Sequence, residues 1–140
     1  LQADYWKPIQ SGLEETDKAT IASLVENSKT RIHPEAYRLH TPMSPHKSAE
    51  IDRITIDLAK IIRPKTENTL VIEGAGGLLV PLNNTQTVFD IIKPSYKVIV
   101  VSRHYLGSIN HTLLTVNFLK EKGFDVYNVL GGYNQWEKEN

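Results

Sequence analysis

The sequence predicts an α/β fold built on a mostly parallel sheet, and three observations carry that expectation. Short apolar runs alternate with stretches whose apolar residues recur near helical spacing, the order produced when strands connect through crossover helices. Thr69-Leu70-Val71-Ile72 is a nearly all-apolar run, the mark of a strand covered on both faces, and Tyr96-Lys97-Val98-Ile99-Val100-Val101 reads as a second buried strand. The strand ends lead into polar or glycine-rich sequence, where open parallel sheets collect their ligands.

Taken in order, Asp4-Tyr5-Trp6-Lys7-Pro8-Ile9 reads as a strand ended by its proline, and Ser11-Gly12 turns the chain out of it. A helix follows from Thr16, with Ala19, Ile21, Ala22, Leu24 and Val25 as its apolar face and Asn27 as its stop. Residues 28–46 are rich in His, Pro, Ser and Thr and predict a structured loop with a short strand around Tyr37 and Leu39. Ser44 caps the next predicted helix and Pro45 fits its first position. Ile51, Ile54, Ile56, Leu58, Ile61 and Ile62 form its buried side, and Pro64 ends it. After the Thr69 strand and the glycines that follow it, Thr87 to Ile92 predicts a short helix closed by Pro94. Beyond the Tyr96 strand, Leu106-Gly107-Ser108 is a turn with a capping serine, leading into a helix lined by Ile109, Leu113, Leu114, Val116, Phe118 and Leu119 and stopped by Gly123. Val126 to Tyr133 is the last predicted strand. No repeat, low-complexity tract or linker interrupts residues 1–140, so one domain is expected.

Composition removes several function classes. The 140 residues carry 16 Lys plus Arg against 16 Asp plus Glu, so no global field favours nucleic acid or an anionic membrane. The absence of cysteine excludes a disulfide scaffold, a thiolate metal site and a cysteine nucleophile within the chain. No run approaches the roughly twenty apolar residues of a membrane span, and the first residues lack the order of a signal peptide; a cytoplasmic protein is expected. The start at Leu1 and the polar end, Glu137-Lys138-Glu139-Asn140, suggest an internal piece of a longer protein.

Glu73 followed by Gly74-Ala75-Gly76-Gly77 is the sharpest local signal. A carboxylate directly after a buried strand costs desolvation unless a donor or cation meets it, and glycines allow close backbone approach to a ligand. Magnesium beside nucleotide phosphates satisfies both observations; a tight turn whose glutamate caps a neighbouring helix satisfies them equally. Lys7, at another strand end, could hold an anion as charge develops, although a lysine bordering a strand is more often a solvated charge. Asp17 falls in a first helical turn, where the macrodipole alone favours an acid. Gly107-Ser108-Ile109-Asn110 could offer backbone donors to a carboxylate, as every helix start can. The histidines at 33, 40, 46, 104 and 111 include no i, i+4 pair on one predicted helix, and no serine sits in a G-x-S-x-G context.

Five motifs in order resemble the dethiobiotin synthetase family nearly end to end. Tyr5-Trp6-Lys7-Pro8-Ile9-Gln10-Ser11-Gly12 resembles its strand ending in K-P-x-x-[ST]-G, and Thr16-Asp17 its following metal-binding aspartate. Pro42-Met43-Ser44-Pro45-His46 matches P-x-S-P-H, and Val71-Ile72-Glu73-Gly74-Ala75-Gly76-Gly77 with Pro81-Leu82 matches V-x-E-G-A-G-G…P-L. Gly107-Ser108-Ile109-Asn110-His111-Thr112-Leu113-Leu114-Thr115 matches G-x-I-N-H-x-L-L-T. The resemblance implies a P-loop NTPase-like sheet and a homodimer that joins 7,8-diaminononanoate and CO2 at the expense of ATP. It implies that Lys7 stabilises the carbamate and the transferred phosphate, that Ser11 contacts the reacting end of the substrate, and that Asp17 and Glu73 hold Mg2+. Gly74, Ala75, Gly76 and Gly77 would line the ATP site, Gly107, Ser108, Ile109 and Asn110 the substrate carboxylate, and Asn134 the adenine.

The family's P-loop, G-x-x-x-x-G-K-[ST], does not occur in residues 1–140. By the resemblance it lies upstream of the Lys7 strand, so these residues alone are expected to bind ATP poorly and to turn over nothing measurable. The E-G-A-G element is shared with cobyrinate-amidating synthetases, an alternative that P-x-S-P-H and G-x-I-N-H disfavour. A non-catalytic nucleotide-binding paralogue is the other alternative, against which Lys7, Asp17 and Glu73 together argue.

Overall fold

Pro8 has no backbone donor, and the first predicted strand divides there into two. The computed structural model describes residues 3–127, in two compact units divided between Lys93 and Pro94. In the first unit, β1 (Ala3–Trp6) and β2 (Ile9–Ser11) flank the Lys7-Pro8 step. The stretch 31–39 runs beside both. Tyr5 N donates to Arg31 O at 2.9 Å, His33 N to Tyr5 O at 2.8 Å, and Ala36 N to Pro8 O at 2.8 Å. It ends in β3 (Tyr37–Leu39), parallel to β2 with Ile9 opposite Tyr37 and Ser11 opposite Leu39.

On its other side, β1 pairs in parallel with β4 (Thr69–Ile72), Tyr5 opposite Val71 and Trp6 opposite Ile72. Coverage of β4 on both faces is not found among the described residues. Val71 is exposed while Leu70 and Ile72 are partly buried, and β1 is the strand paired with β4 among the described residues. The helix after β2, α1 (Asp17–Leu24), starts as expected, with the Thr16 hydroxyl accepting from Ala19 N at 3.2 Å. Its apolar face is not buried among the described residues.

The helix expected to run from Pro45 to Ile62 is shorter. α2 (Pro45–Asp52) stops where Arg53 adopts a left-handed conformation, φ 58°, and Ile54 N reaches back to Ala49 O at 2.8 Å, a helix-terminating bond. A separate 3-10 turn, Leu58–Lys60, begins at Asp57, whose carboxylate accepts from Ala59 N. Apolar residues from Ile51 to Ile62, recurring near helical spacing, give these two elements the look of one helix. Ser44 precedes α2, but its hydroxyl lies 3.3 Å from His46 Nδ1 and makes no bond to the helix backbone.

The core joins Ile9 of β2, Leu39 of β3, Ala49 of α2, and Ile56, Leu82 and Val88. Burying the Ile, Leu and Val side chains contributes roughly 1.5–3 kcal/mol each, and this cluster anchors β2 and β3, just beyond the Lys7-Pro8 step. Leu82 and Val88 come from the turn after β4. There Pro81 bridges Thr87, and a 3-10 helix, Val88–Ile91, follows its Thr87–Asp90 capping box. His46 N donates to Pro81 O at 3.3 Å, so the P-x-S-P-H and P-L motifs meet in space.

The start of β1 holds a closed polar cluster. Asp4 is fully buried, and its carboxylate accepts from Arg31 N at 3.0 Å, Asn68 Nδ2 at 2.8 Å and Thr66 Oγ1 at 2.7 Å, with His33 Nε2 at 2.9 Å. These partners hold its pKa well below the ordinary carboxylate value, the Asn68 bond most of all and burial opposing.

In the second unit, described by itself, α3 (Ser108–Glu121) begins after Gly107, which stands in the left-handed region at φ 95°. Ser108 is therefore the first helical residue and not the cap. Gly123, φ 84°, follows the helix end as expected. The strand expected at 96–101 is absent. The backbone there is irregular, and Ile99 and Val101 are 87% and 89% exposed. An apolar run becomes a strand only when a neighbouring edge takes its hydrogen bonds, and no described residue pairs with it. The expected last strand, Val126 to Tyr133, lies mostly outside the described residues, and Val126 and Tyr127 are irregular.

Candidate active site

The register of β1 against β4 places two charged residues side by side. Glu73 is the first residue beyond β4, and its N–H donates to Trp6 O at 3.0 Å, so it stands next to Lys7, the first residue beyond β1. The Lys7 ammonium bonds Glu73 Oε1 at 3.1 Å and also the Asp17 carboxylate, delivered by the first turn of α1. The Lys7 side chain is 11% exposed, whereas those of Asp17 and Glu73 are 42% and 41% exposed. Lys7 is thus an enclosed cation between two open carboxylates. The solvated-lysine explanation does not hold. Nor does the turn-capping explanation of Glu73, whose two oxygens both go to side chains of the Tyr5–Lys7 segment.

The second oxygen belongs to Tyr5. Its hydroxyl donates to Glu73 Oε2 at 2.5 Å, and burial, reinforced by Glu73, pushes the phenol pKa well above its ordinary value. Tyr5 has no motif of its own that marks it in the sequence. The signal was present in the two-residue spacing to Lys7, which turns both side chains to one face of a strand, but the partner depends on the β1–β4 register.

The glycines after Glu73 have separate reasons. A Cβ on Gly74 would stand 3.0 Å from Val88 Cγ1, and Gly76 adopts φ 85°, where a side chain is strained, while a Cβ on Gly77 would meet nothing within 4 Å. Close packing and turn geometry account for the first two, and Ala75 packs against the core. Gly77 is the position with open space around it.

Ser11 ends β2 with its hydroxyl buried and without a hydrogen-bond partner among the described residues; Gln10 Oε1 beside it is in the same condition. The Gln10 amide nitrogen is occupied, donating to Ser11 O and Gly12 O at 3.1 Å each. Gly107, Ser108, Ile109 and Asn110 belong to the second unit, at the start of α3, where His111 N closes the first turn on Gly107 O at 3.0 Å. His111 Nδ1 there lies 2.7 Å from the Tyr105 hydroxyl. Asn134 lies outside the described residues.

Among the described residues no group of three or more His, Asp or Glu gathers as a metal cage. Asp17 and Glu73 are instead two carboxylates that converge on one cation, the Lys7 ammonium. Chemically the arrangement offers a cation beside a face that can meet an anion, with two acids able to share a second positive charge. No helix among the described residues is long and apolar enough to cross a membrane.

Comparison with known proteins places this chain in a family. The chain is 53% identical over 131 residues to the ATP-dependent dethiobiotin synthetase BioD of Christiangramia forsetii, a match covering 93% of this chain and 63% of that protein. Its identity to the protein of the same name from Cytophaga hutchinsonii is 53% over 132 residues, 93% of this chain and 64% of the relative. For that from Agrobacterium fabrum it is 50% over 132 residues, 93% and 62%. The chain therefore spans somewhat under two thirds of the length of these curated relatives. A family model described as an AAA domain matches residues 1–135. With parallel strands that lead into Lys7 and Glu73 and a family model that covers nearly all of it, the chain belongs to the AAA domain family.

Proposed function

We propose that the protein to which this chain belongs is an ATP-dependent dethiobiotin synthetase, a ligase of biotin biosynthesis that closes the ureido ring of dethiobiotin. The single observation that carries the reading is the Lys7 ammonium held between Asp17 and Glu73 at the adjoining ends of two parallel strands. The named relatives and the ordered motifs point the same way.

The reaction begins with one amine of 7,8-diaminononanoate adding to CO2, which gives a carbamate and releases a proton. A carbamate oxygen then takes the γ-phosphoryl group of ATP, ADP leaves, and a mixed carbamic–phosphoric anhydride forms. The second amine attacks its carbonyl carbon, phosphate departs, and the ring closes. Phosphoryl transfer of this kind is mainly positioning and charge neutralisation. Lys7 supplies the positive charge for the carbamate and the phosphoryl oxygens. Ser11 offers a buried hydroxyl that no described residue satisfies, a group that costs about 1–3 kcal/mol until a partner meets it; the reacting end of the substrate is that partner.

Asp17 and Glu73 fit a divalent cation, since their oxygens already converge on a positive charge and magnesium takes one or two carboxylates along with phosphate oxygens. Bound there, Mg2+ would neutralise charge on the transferring phosphoryl group. The loop Gly74-Ala75-Gly76-Gly77 would border the nucleotide, and Asn134 would meet the adenine. The backbone donors at Gly107, Ser108, Ile109 and Asn110 would receive the substrate carboxylate, in a homodimer across the subunit interface. The protein would work in the cytoplasm, without nucleic acid or membrane partners.

The test is an assay of the full-length protein with diaminononanoate, bicarbonate and ATP, following phosphate and dethiobiotin together. Equimolar, diamine-dependent formation of both is expected, with Lys7→Ala and Glu73→Gln severely impaired. Phosphate release that ignores the diamine, or full activity in both variants, would overturn the reading.

A further inference from the structure

Glu73 presents a problem of aim. Its side chain is 41% exposed at the mouth of the strand ends, and a carboxylate so placed can turn about its last bond unless both oxygens are held. Both are held, and from one strand direction. Lys7 Nζ meets Oε1 at 3.1 Å and the Tyr5 hydroxyl meets Oε2 at 2.5 Å, while the Glu73 N–H is tied to Trp6 O at 3.0 Å. The two donors are not equivalent. Lys7 is a flexible ammonium that also bonds Asp17; Tyr5 is a rigid ring, buried within β1 and directly opposite Val71 of β4.

We propose that Tyr5 is a positioning residue for Glu73, the donor that keeps the carboxylate aimed at its cation when Lys7 turns to the anionic substrate. The inference rests on the reading above, in which Lys7 serves the carbamate and Glu73 the divalent cation. A phenol hydroxyl stays protonated throughout the neutral range, so Tyr5 is a donor there. A hydroxyl that orients a metal-binding carboxylate typically controls about 10–100-fold in metal affinity.

The test uses the full-length protein and Mn2+ as the probe, its binding in the presence of ATP followed by electron paramagnetic resonance. Tyr5→Phe removes one oxygen and keeps the ring. Mn2+ binding is expected to weaken by about tenfold, with the Mn2+ concentration for half-maximal turnover rising in step. Excess Mn2+ restores turnover, and KM for the diamine stays the same. In a Glu73→Gln background, Tyr5→Phe is expected to weaken Mn2+ binding no further, which a general loosening of the fold would not reproduce. Unchanged Mn2+ binding, or a loss of turnover that excess Mn2+ does not restore, would overturn the proposal. Dethiobiotin formation by the wild type separates the two failures. If it is absent while Mn2+ binding still depends on Tyr5, the functional reading falls and the positioning stands. If it is present and Mn2+ binding ignores Tyr5→Phe, the positioning alone falls.

Discussion

The two ends of β1 each bury a charge, and they treat it in opposite ways. At the start of the strand, Asp4 is sealed from solvent with partners from Arg31, His33, Thr66 and Asn68, and those donors fill its oxygens. At the far end, Lys7 is enclosed, but the carboxylates that answer it are two-fifths exposed. A buried charge whose partners are complete has nothing left to offer a ligand; it ties segments together. A buried charge whose partners reach solvent can exchange them. The difference separates a cluster that ties segments together from one that can meet a ligand, the division on which the proposed function rests, although both stand on one four-residue strand.

Substitutions at each end can break this division. The largest effect is expected from Lys7→Ala in the full-length protein, where kcat should fall by about 10²–10³-fold, as when a group that stabilises developing charge is lost. The melting temperature should hardly move, because the partners left behind are solvated. Next comes Asp4→Ala, which strips the Asn68, Thr66 and Arg31 donors of the buried carboxylate they share. It should lower the melting temperature more than any substitution around Lys7 and leave turnover per folded molecule near wild type, a comparison that calorimetry and active-site titration together can make. A smaller effect, and one that sharpens the contrast, is expected of Lys7→Met. Removing the ammonium lets Asp17 and Glu73 repel across an open site, so Mn2+ should bind the nucleotide-free protein a fewfold more tightly even though catalysis is lost.

The smallest effect concerns pH. The native pKa of Asp4 is depressed below its ordinary value of 3.8, so its contribution to stability is complete above that value and is lost as pH falls through the native pKa. Asp4→Asn should therefore flatten the acid limb of the stability profile below about pH 4, measured by denaturant titration across that range. A limb as steep as the wild type's would assign acid sensitivity to other carboxylates.

The Lys7 end was far more legible in the sequence than the Asp4 end. Lys7-Pro8 and Glu73-Gly74 both combine a strand end with an unusual neighbour, and their order along the chain carried the family resemblance. Asp4 looked like any polar residue opening a strand, because its donors sit about 27, 29, 62 and 64 positions away and none belongs to a motif. Tyr5 was hidden for a related reason, since its bond to Glu73 follows from the pairing of Tyr5 with Val71, and register is not written in either segment alone. Local sequence does mark the helix that follows Thr16 and the glycine, Gly123, that follows the end of α3. At two places the apolar pattern is not sufficient to set the structure. The apolar residues from Ile51 to Ile62 recur near helical spacing past the left-handed Arg53 that ends α2, and the apolar run at 96–101 lacks, among the described residues, the edge that would make it a strand.

The most direct measurement of the division between the two ends is turnover per folded molecule, taken side by side for Lys7→Ala and Asp4→Asn in the full-length protein. The expected result is a loss of about 10²–10³-fold for Lys7→Ala with near wild-type turnover for Asp4→Asn. Comparable losses in both variants, or turnover that survives without Lys7, would contradict the assignment of the chemistry to the Lys7 end of β1.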